Sequence, residues 1–322
     1  VNAPCLLCFV LAIVQVASPA PAIEDWPAPE IPGVVAAGTT VHVLRTWDQN
    51  EGGEGPIPAP DGSVLFPQQE ANRIIRIDKD GAFSTYLDHT NRTTGLGFDA
   101  KGRLIGAGAH PPQVLVLAPT RSILADRFEG QPFLRPKHLV VDRKGGIYFT
   151  DLTPIPNQDR GPAKPPKERE LPPGPKPAIY YIKADGHIVR ATAEVPEPNG
   201  IILSPDEKTL YVTSLPGAFV VAFDVNADGS LHNARDFARL AAGDASRADG
   251  MAVDAAGRLY VAAVGGVQVF GPDGRHLGTI PFKQKPGNLA FAGPEKKTLY
   301  VVSRGVIYTI AMQAEGFKGR AK

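Results

Sequence analysis

Glu54, Asn199 and Asp249 lie far apart in the chain, yet each opens a short apolar run that leads through a tight turn into a second β-rich run. At the corresponding places of three further runs stand Thr94, Lys137 and Gly287, with His138 and Asn288 one residue further in. If these openings meet in space, carboxylates and an amide oxygen converge from separate units. A hard cation such as Ca²⁺ requires such a set, since it takes about six to eight oxygen ligands, water included. Asn199 would add a neutral carbonyl oxygen to the two carboxylates. Taken singly, Asn and Asp before Gly are ordinary turn residues. Their recurrence at equivalent positions is what points to a shared polar site. His138 fits either a hydrogen-bonded structural role or that of a metal ligand or proton carrier, and His110 in "GAGAHPP" reads as a loop residue.

The elements that must position these residues recur six times. Aligned on their openings, the copies are "EGPIPAPDGSVLF", "TGLGFDAKGRLIGA", "KHLVVDRKGGIYFT", "NGIILSPDEKTLYVT", "DGMAVDAAGRLYVA" and "GNLAFAGPEKKTLYVV". Each is a hairpin by its pattern of apolar run, Asp/Gly/Lys turn and β-rich run. Most continue into a further strand and an Asp-Gly turn, as in "NRIIRIDKDG" and "AIYYIKADG", which makes four strands per copy. The openings are 40, 43, 62, 50 and 38 residues apart. Four-stranded units at a period of about 40 to 50 residues are propeller blades. The expected fold is therefore all-β, a six-bladed β-propeller with four antiparallel strands per blade, spanning residues 41–311 as one domain. In such a ring the first strand of each blade borders the central channel, so the opening residues form a ring at its mouth. The proline-rich stretch 152–177 in the long third interval reads as a loop. "VHVLRTW" at 41–47 reads as a strand that joins the last blade and closes the ring. Asp61, Asp99, Asp142, Asp206 and Asp254 recur on the first hairpin turns and read as blade architecture.

Of the 322 residues 43% are hydrophobic and 21% charged, with a formal net charge of +1. The basic residues are spread along the chain with no block of like charge, which argues against a nucleic-acid partner. Residues 1–22 hold an apolar run followed by small residues and prolines, and read as a signal peptide cleaved near Ala20 to Ala22. Export to a periplasmic or extracellular location is expected, with no stable membrane insertion once the signal is removed. Cys5 and Cys8 both fall in this segment, so no disulfide is expected in the remainder. Residues 23–40, rich in Pro and Ala, read as a linker, and 312–322 as a tail. No nucleophile elbow, HExxH pair, P-loop or CxxC set is present, and "GLGFDAKG" falls across a hairpin rather than opening a helix. "NRT" at 91–93 has the form of a glycosylation sequon.

The motifs "GEGP" at 53–56, "EPNGIILSPDEKTLYVT", "ADGMAVDAAGRLYVA" and "NLAFAGPEKKTLYVV" resemble those of the gluconolactonase and regucalcin (senescence marker protein) family of six-bladed propellers. The resemblance implies a divalent metal, Ca²⁺ or Zn²⁺, held by Glu54, Asn199 and Asp249, and hydrolysis of a small-molecule substrate, a sugar-acid lactone or similar cyclic ester. In that chemistry the metal polarises the lactone carbonyl and lowers the pKa of a bound water, with Asp249 as candidate general base. Thr94, Lys137, His138 and Asn288 would complete the mouth and touch substrate.

Two positions depart from the family pattern: Lys137 and Thr94 stand where amides are expected. An ammonium ~5 Å from a divalent ion, at an effective dielectric of ~20, is repelled by roughly 6 to 7 kcal/mol before any relaxation. Lys137 pointing inward would weaken metal binding. Alternatively its stem swings into solvent, or its charge sits beside Glu54 and Asp249 as a substitute cation. Two other readings accordingly stand beside the metal-dependent lactonase: a non-catalytic or metal-free propeller that binds a ligand at its mouth, and a different chemistry on the same scaffold.

Overall fold

The computed structural model describes residues 23–154 and 176–319. The expected signal peptide with Cys5 and Cys8, and most of the proline-rich loop, lie outside the described residues. Six small antiparallel sheets follow one another along the chain. Blade one is Ile57–Pro58, Val64–Gln68, Arg73–Ile77 and Phe83–Asp88; blade two is Thr93–Phe98, Leu104–Ala109, Pro112–Ala118 and Ser122–Ala125. Blade three is Pro136–Val141, Ile147–Asp151, Ala178–Ile182 and Ile188–Thr192; blade four is Pro198–Leu203, Thr209–Ser214, Phe219–Val225 and Leu231–Arg239. Blade five is Met251–Val253, Leu259–Ala263, Gly266–Phe270 and His276–Pro281, and blade six begins with Pro286–Ala292, Thr298–Ser303 and Val306–Ala311. The fold is the six-bladed propeller that the repeat predicts.

Blade six is completed from the other end of the chain. Thr40–Thr46 pairs antiparallel with Val306–Ala311, placing Val41 opposite Ile310, and Trp26–Pro27 adds a fifth strand outside it. Residues 23–40 are not a bare linker. Ile31, Val34 and Val35 are buried against blades five and six, and Trp26 meets Tyr308 edge-on with ring centroids 5.4 Å apart. Nor do the first residues beyond 311 hang free, since Met312 and Ala314 are buried in the same cluster. Pro and Ala content marked these segments as irregular, but their few large apolar residues are enough to dock them.

Hydrophobic contact is made between blades. Six apolar clusters fill the six junctions, that between blades six and one included, where Val64 and Phe66 meet Val302 and Ile307. A strand packed on both faces is buried along its length, as "IYFTD" and "AIYYI" of blade three are. On the first hairpin turns the recurring aspartates accept backbone N–H groups two and four residues on: Asp99 from Lys101 and Arg103, Asp142 from Lys144 and Gly146, Asp254 from Ala256 and Arg258. They are turn architecture, as read. Among the described residues no helix is long and apolar enough to cross a membrane.

Candidate active site

The inner strands break register with their neighbours where the ring residues lie. The slips fall between Thr93 and Gly95, Pro136 and Leu139, Pro198 and Ile201, and Pro286 and Asn288. A bulge leaves backbone groups unpaired and re-aims side chains. In blades three and four a threonine of the second strand meets the freed donors: Thr150 Oγ1 accepts from His138 N at 3.1 Å, and Thr213 Oγ1 accepts from Gly200 N at 2.7 Å. The same hydroxyls donate onward to the carbonyls of Asn199 and Asp249, at 2.8 and 2.9 Å. Each blade thereby places the next blade's ring residue. The glycines after Asn199 and Asp249 serve this close approach: a Cβ on Gly200 would stand 2.1 Å from the Asp249 carbonyl oxygen, and one on Gly250 1.9 Å from Asn288 Cγ.

Glu54, Lys137, Asn199 and Asp249 converge on a cavity of about 450 Å³ at the channel mouth. Lys137 Nζ donates to Glu54 Oε1 at 2.7 Å, and Lys285 Nζ lies 3.8 Å from Asp249 Oδ2. Glu54 Oε2 and Asn199 Oδ1 are buried and accept no hydrogen bond, while Asn199 Nδ2 donates to Ala248 O at 3.1 Å. His138, Thr94 and Asn288 form a layer beneath the cavity. The Thr94 hydroxyl is committed to the Lys137 carbonyl, so it fastens blade two to blade three and does not line the cavity.

A chain of hydrogen bonds fixes the imidazole. Leu289 N donates to Asn288 Oδ1 at 2.8 Å, so the other end of that amide, Nδ2, faces His138 Nδ1 at 3.2 Å as a donor. Nδ1 must then be bare, and the proton sits on Nε2, which donates to Asp249 Oδ1 at 3.1 Å. Burial pushes the His138 pKa down, Asp249 pulls it up and the Lys137 charge pushes it down again, with a net lowering that keeps the ring neutral. For Asp249 burial alone would raise the pKa. The Lys137 ammonium, the His138 hydrogen bond and the Lys285 ammonium outweigh that and hold the carboxyl well below the usual carboxylate range.

A carboxylate oxygen each from Glu54 and Asp249 and a ring nitrogen of His138 make a cluster with ligand atoms all within 4.8 Å of one another. With its Nε2 protonated, however, His138 is a donor to Asp249 rather than a ligand. The orphaned Glu54 Oε2 and Asn199 Oδ1, together with Asp249, form an all-oxygen set that fits a hard divalent ion. Sequence reasoning missed three cavity-lining cations, Arg135, Lys285 and Arg304. Arg135 stands two residues before Lys137 on a stretch whose backbone is held by the buried Asp151: Leu134 N and Arg135 N donate to its two oxygens at 2.9 and 2.6 Å. Arg135 and Lys285 occupy equivalent places, each just before the proline that opens an inner strand, at Pro136 and Pro286, and only that nearness to a blade opening could have flagged them.

The sequence profile of the SMP-30/Gluconolactonase/LRE-like region matches residues 52–305. Gluconolactonase of Zymomonas mobilis is 27% identical over 304 residues, 85% of this chain and 82% of that protein. The solved gluconolactonase of Xanthomonas campestris superposes with a TM-score of 0.75 at 29% identity, covering 91% of this chain and 99% of that one. A calcium-binding protein, regucalcin, from Agrobacterium tumefaciens shares the fold with a TM-score of 0.70 at 17% identity, over 86% and 95% of the two chains.

Proposed function

The chain belongs to the SMP-30/gluconolactonase/LRE-like family, and from that premise we propose that it hydrolyses small lactones of the sugar-acid type at the mouth of its channel. The observation that carries the proposal is the convergence of Glu54, Asn199 and Asp249, from the openings of blades one, four and five, on one cavity of about 450 Å³. That volume lies in the range of small-molecule sites, about 300–1,000 Å³. The lactonase relatives lend the non-catalytic alternative no support.

In lactone hydrolysis a water oxygen bonds to the carbonyl carbon, the ring C–O bond breaks, and the water's proton passes by way of a base to the leaving oxygen, giving a hydroxy acid. Asp249 is the candidate base. It is ionised, it borders the cavity, and His138 holds one of its oxygens, leaving Oδ2 toward Lys285. A carboxylate of low basicity removes a proton effectively only from a water that positive charge beside it has made more acidic. Lys137 and Lys285 supply such charge from the protein itself. A divalent ion would be held by Glu54, Asn199 and Asp249, and when bound it would polarise the carbonyl and acidify water.

Acid release from δ-gluconolactone and a panel of aldonolactones, measured with a pH indicator, tests the reading. Hydrolysis above the spontaneous rate that is lost in Asp249→Asn is expected. No acceleration with any lactone, with or without added Ca²⁺, Zn²⁺ or Mn²⁺, would overturn it.

A further inference from the structure

Lys137 is not a solvent-facing lysine. Its side chain is 9% exposed and its ammonium is bonded across the channel to Glu54 Oε1 at 2.7 Å. On the other carboxylate, Lys285 stands 3.8 Å from Asp249 Oδ2, and His138 Nε2 donates to Oδ1. Each carboxylate that could hold a divalent ion therefore already faces a protein cation. Glu54 Oε2 and Asn199 Oδ1 lack donors, yet an ion drawn to them would share Glu54 with the ammonium. The compact, flexible ammonium of a lysine competes for a carboxylate as a point charge.

We infer that Lys137 is the resident cation of the mouth: bonded to Glu54, it competes with divalent ions for the oxygen set, sets their affinity low and furnishes positive charge beside Asp249 without them. This rests on the proposed function only for the location of the site. Removing the charge should uncover a strong cation site that the sequence otherwise conceals.

Calorimetric titration with Ca²⁺, Zn²⁺ and Mn²⁺ tests the inference on the unaltered chain, Lys137→Met, Lys137→Asn and Lys137→Arg, with no substrate present. The unaltered chain and Lys137→Arg should bind more weakly than about 100 μM, outside the range of calcium sensors. Lys137→Met should bind at least about tenfold more tightly, equivalent to about 1.4 kcal/mol. Lys137→Asn, which adds an oxygen, should bind more tightly again. Equal affinity of the unaltered chain and Lys137→Met overturns the inference, and so does submicromolar binding by the unaltered chain.

Should the neutral variants fail to fold, crystals of the unaltered chain soaked with Mn²⁺ decide. An anomalous peak among Glu54, Asn199 and Asp249 with Lys137 still on Glu54 overturns the inference. No peak, or a peak with Lys137 swung away, supports it. Lactone hydrolysis is assayed separately, so its absence would refute the proposed reaction while leaving the cation result standing.

Discussion

His138 Nε2 and Asp249 Oδ1 lie 3.1 Å apart, and it is Asn288, at the other imidazole nitrogen, that keeps the proton on Nε2. Leu289 N fixes the amide, the amide fixes the tautomer, and the tautomer gives Asp249 its donor.

Asn288→Asp replaces the donor at His138 Nδ1 by a second carboxylate, so the imidazole, now between two anions, takes a proton on Nδ1 as well and becomes an imidazolium beside Asp249. Altering the charge of this supporting group should reduce lactone turnover by about tenfold or more. Imidazole ¹⁵N NMR gives the independent check: Nε2–H alone in the parent, both nitrogens protonated in the variant. An unchanged tautomer would refute the ordering of this chain of bonds.

Asp249→Asn should lower lactone turnover by about 100-fold or more while leaving the melting temperature close to that of the parent. Thr94→Ala should behave in the opposite way. Its hydroxyl bonds the Lys137 carbonyl and does not line the cavity, so its loss should cost about 1 to 2 kcal/mol of stability with a smaller effect on turnover. Parallel kinetics and thermal melts separate the two; comparable turnover losses would place Thr94 in the reaction.

Burial raises the Asp151 carboxyl to about 7 from an ordinary 3.8, against the opposing pull of the Leu134 and Arg135 N–H groups. The folded state thus binds this proton more tightly than the unfolded one. The associated stability is fully present below pH ~4 and is lost as pH rises through ~7, amounting to no more than about 4 kcal/mol. Calorimetric melts from pH 5 to 8 should show the parent losing stability more steeply than Asp151→Asn. Identical slopes would mean that the carboxyl titrates alike in both states.

Gly200→Ala would drive a methyl group onto the Asp249 carbonyl oxygen, 2.1 Å from an ideal Cβ. Backbone cannot yield as a side-chain tip can, so a loss of at least about 2 kcal/mol is expected. Gly62→Ala, on an open hairpin turn at φ 86°, serves as comparison and should cost about 1 kcal/mol through backbone strain alone. Chemical denaturation ranks them, and equal costs would show that blades four and five can separate.

Blade count and ring positions were legible because every blade repeats one hairpin, two apolar runs around an Asp/Gly/Lys turn, at a period of about 40 to 50 residues. Glu54, Asn199, Asp249 and Lys137 followed from that register, and all four reach the cavity. Asn-Gly and Asp-Gly looked like turn dipeptides, however, because a sequence does not display the neighbouring strand that makes Gly200 and Gly250 necessary. Thr94 was read as a mouth residue for the same reason: position in the ring does not reveal that its hydroxyl is taken by the next blade. Arg135, Lys285 and Arg304 escaped because they lie on connections between strands, and the docking of residues 23–40 because three apolar side chains among prolines carry no period.

Thr40–Thr46 belongs to the blade whose other strands are made last, with Val41 finding its partner at Ile310. During synthesis this strand must wait, edge open, while nearly the whole propeller is translated, a long-range pairing of the kind that slows folding and exposes chains to aggregation. The mouth is subject to the same delay, since its residues come from blades at both ends of the sequence. A truncated or stalled chain lacks part of the ring, and the site comes into being only with its closure.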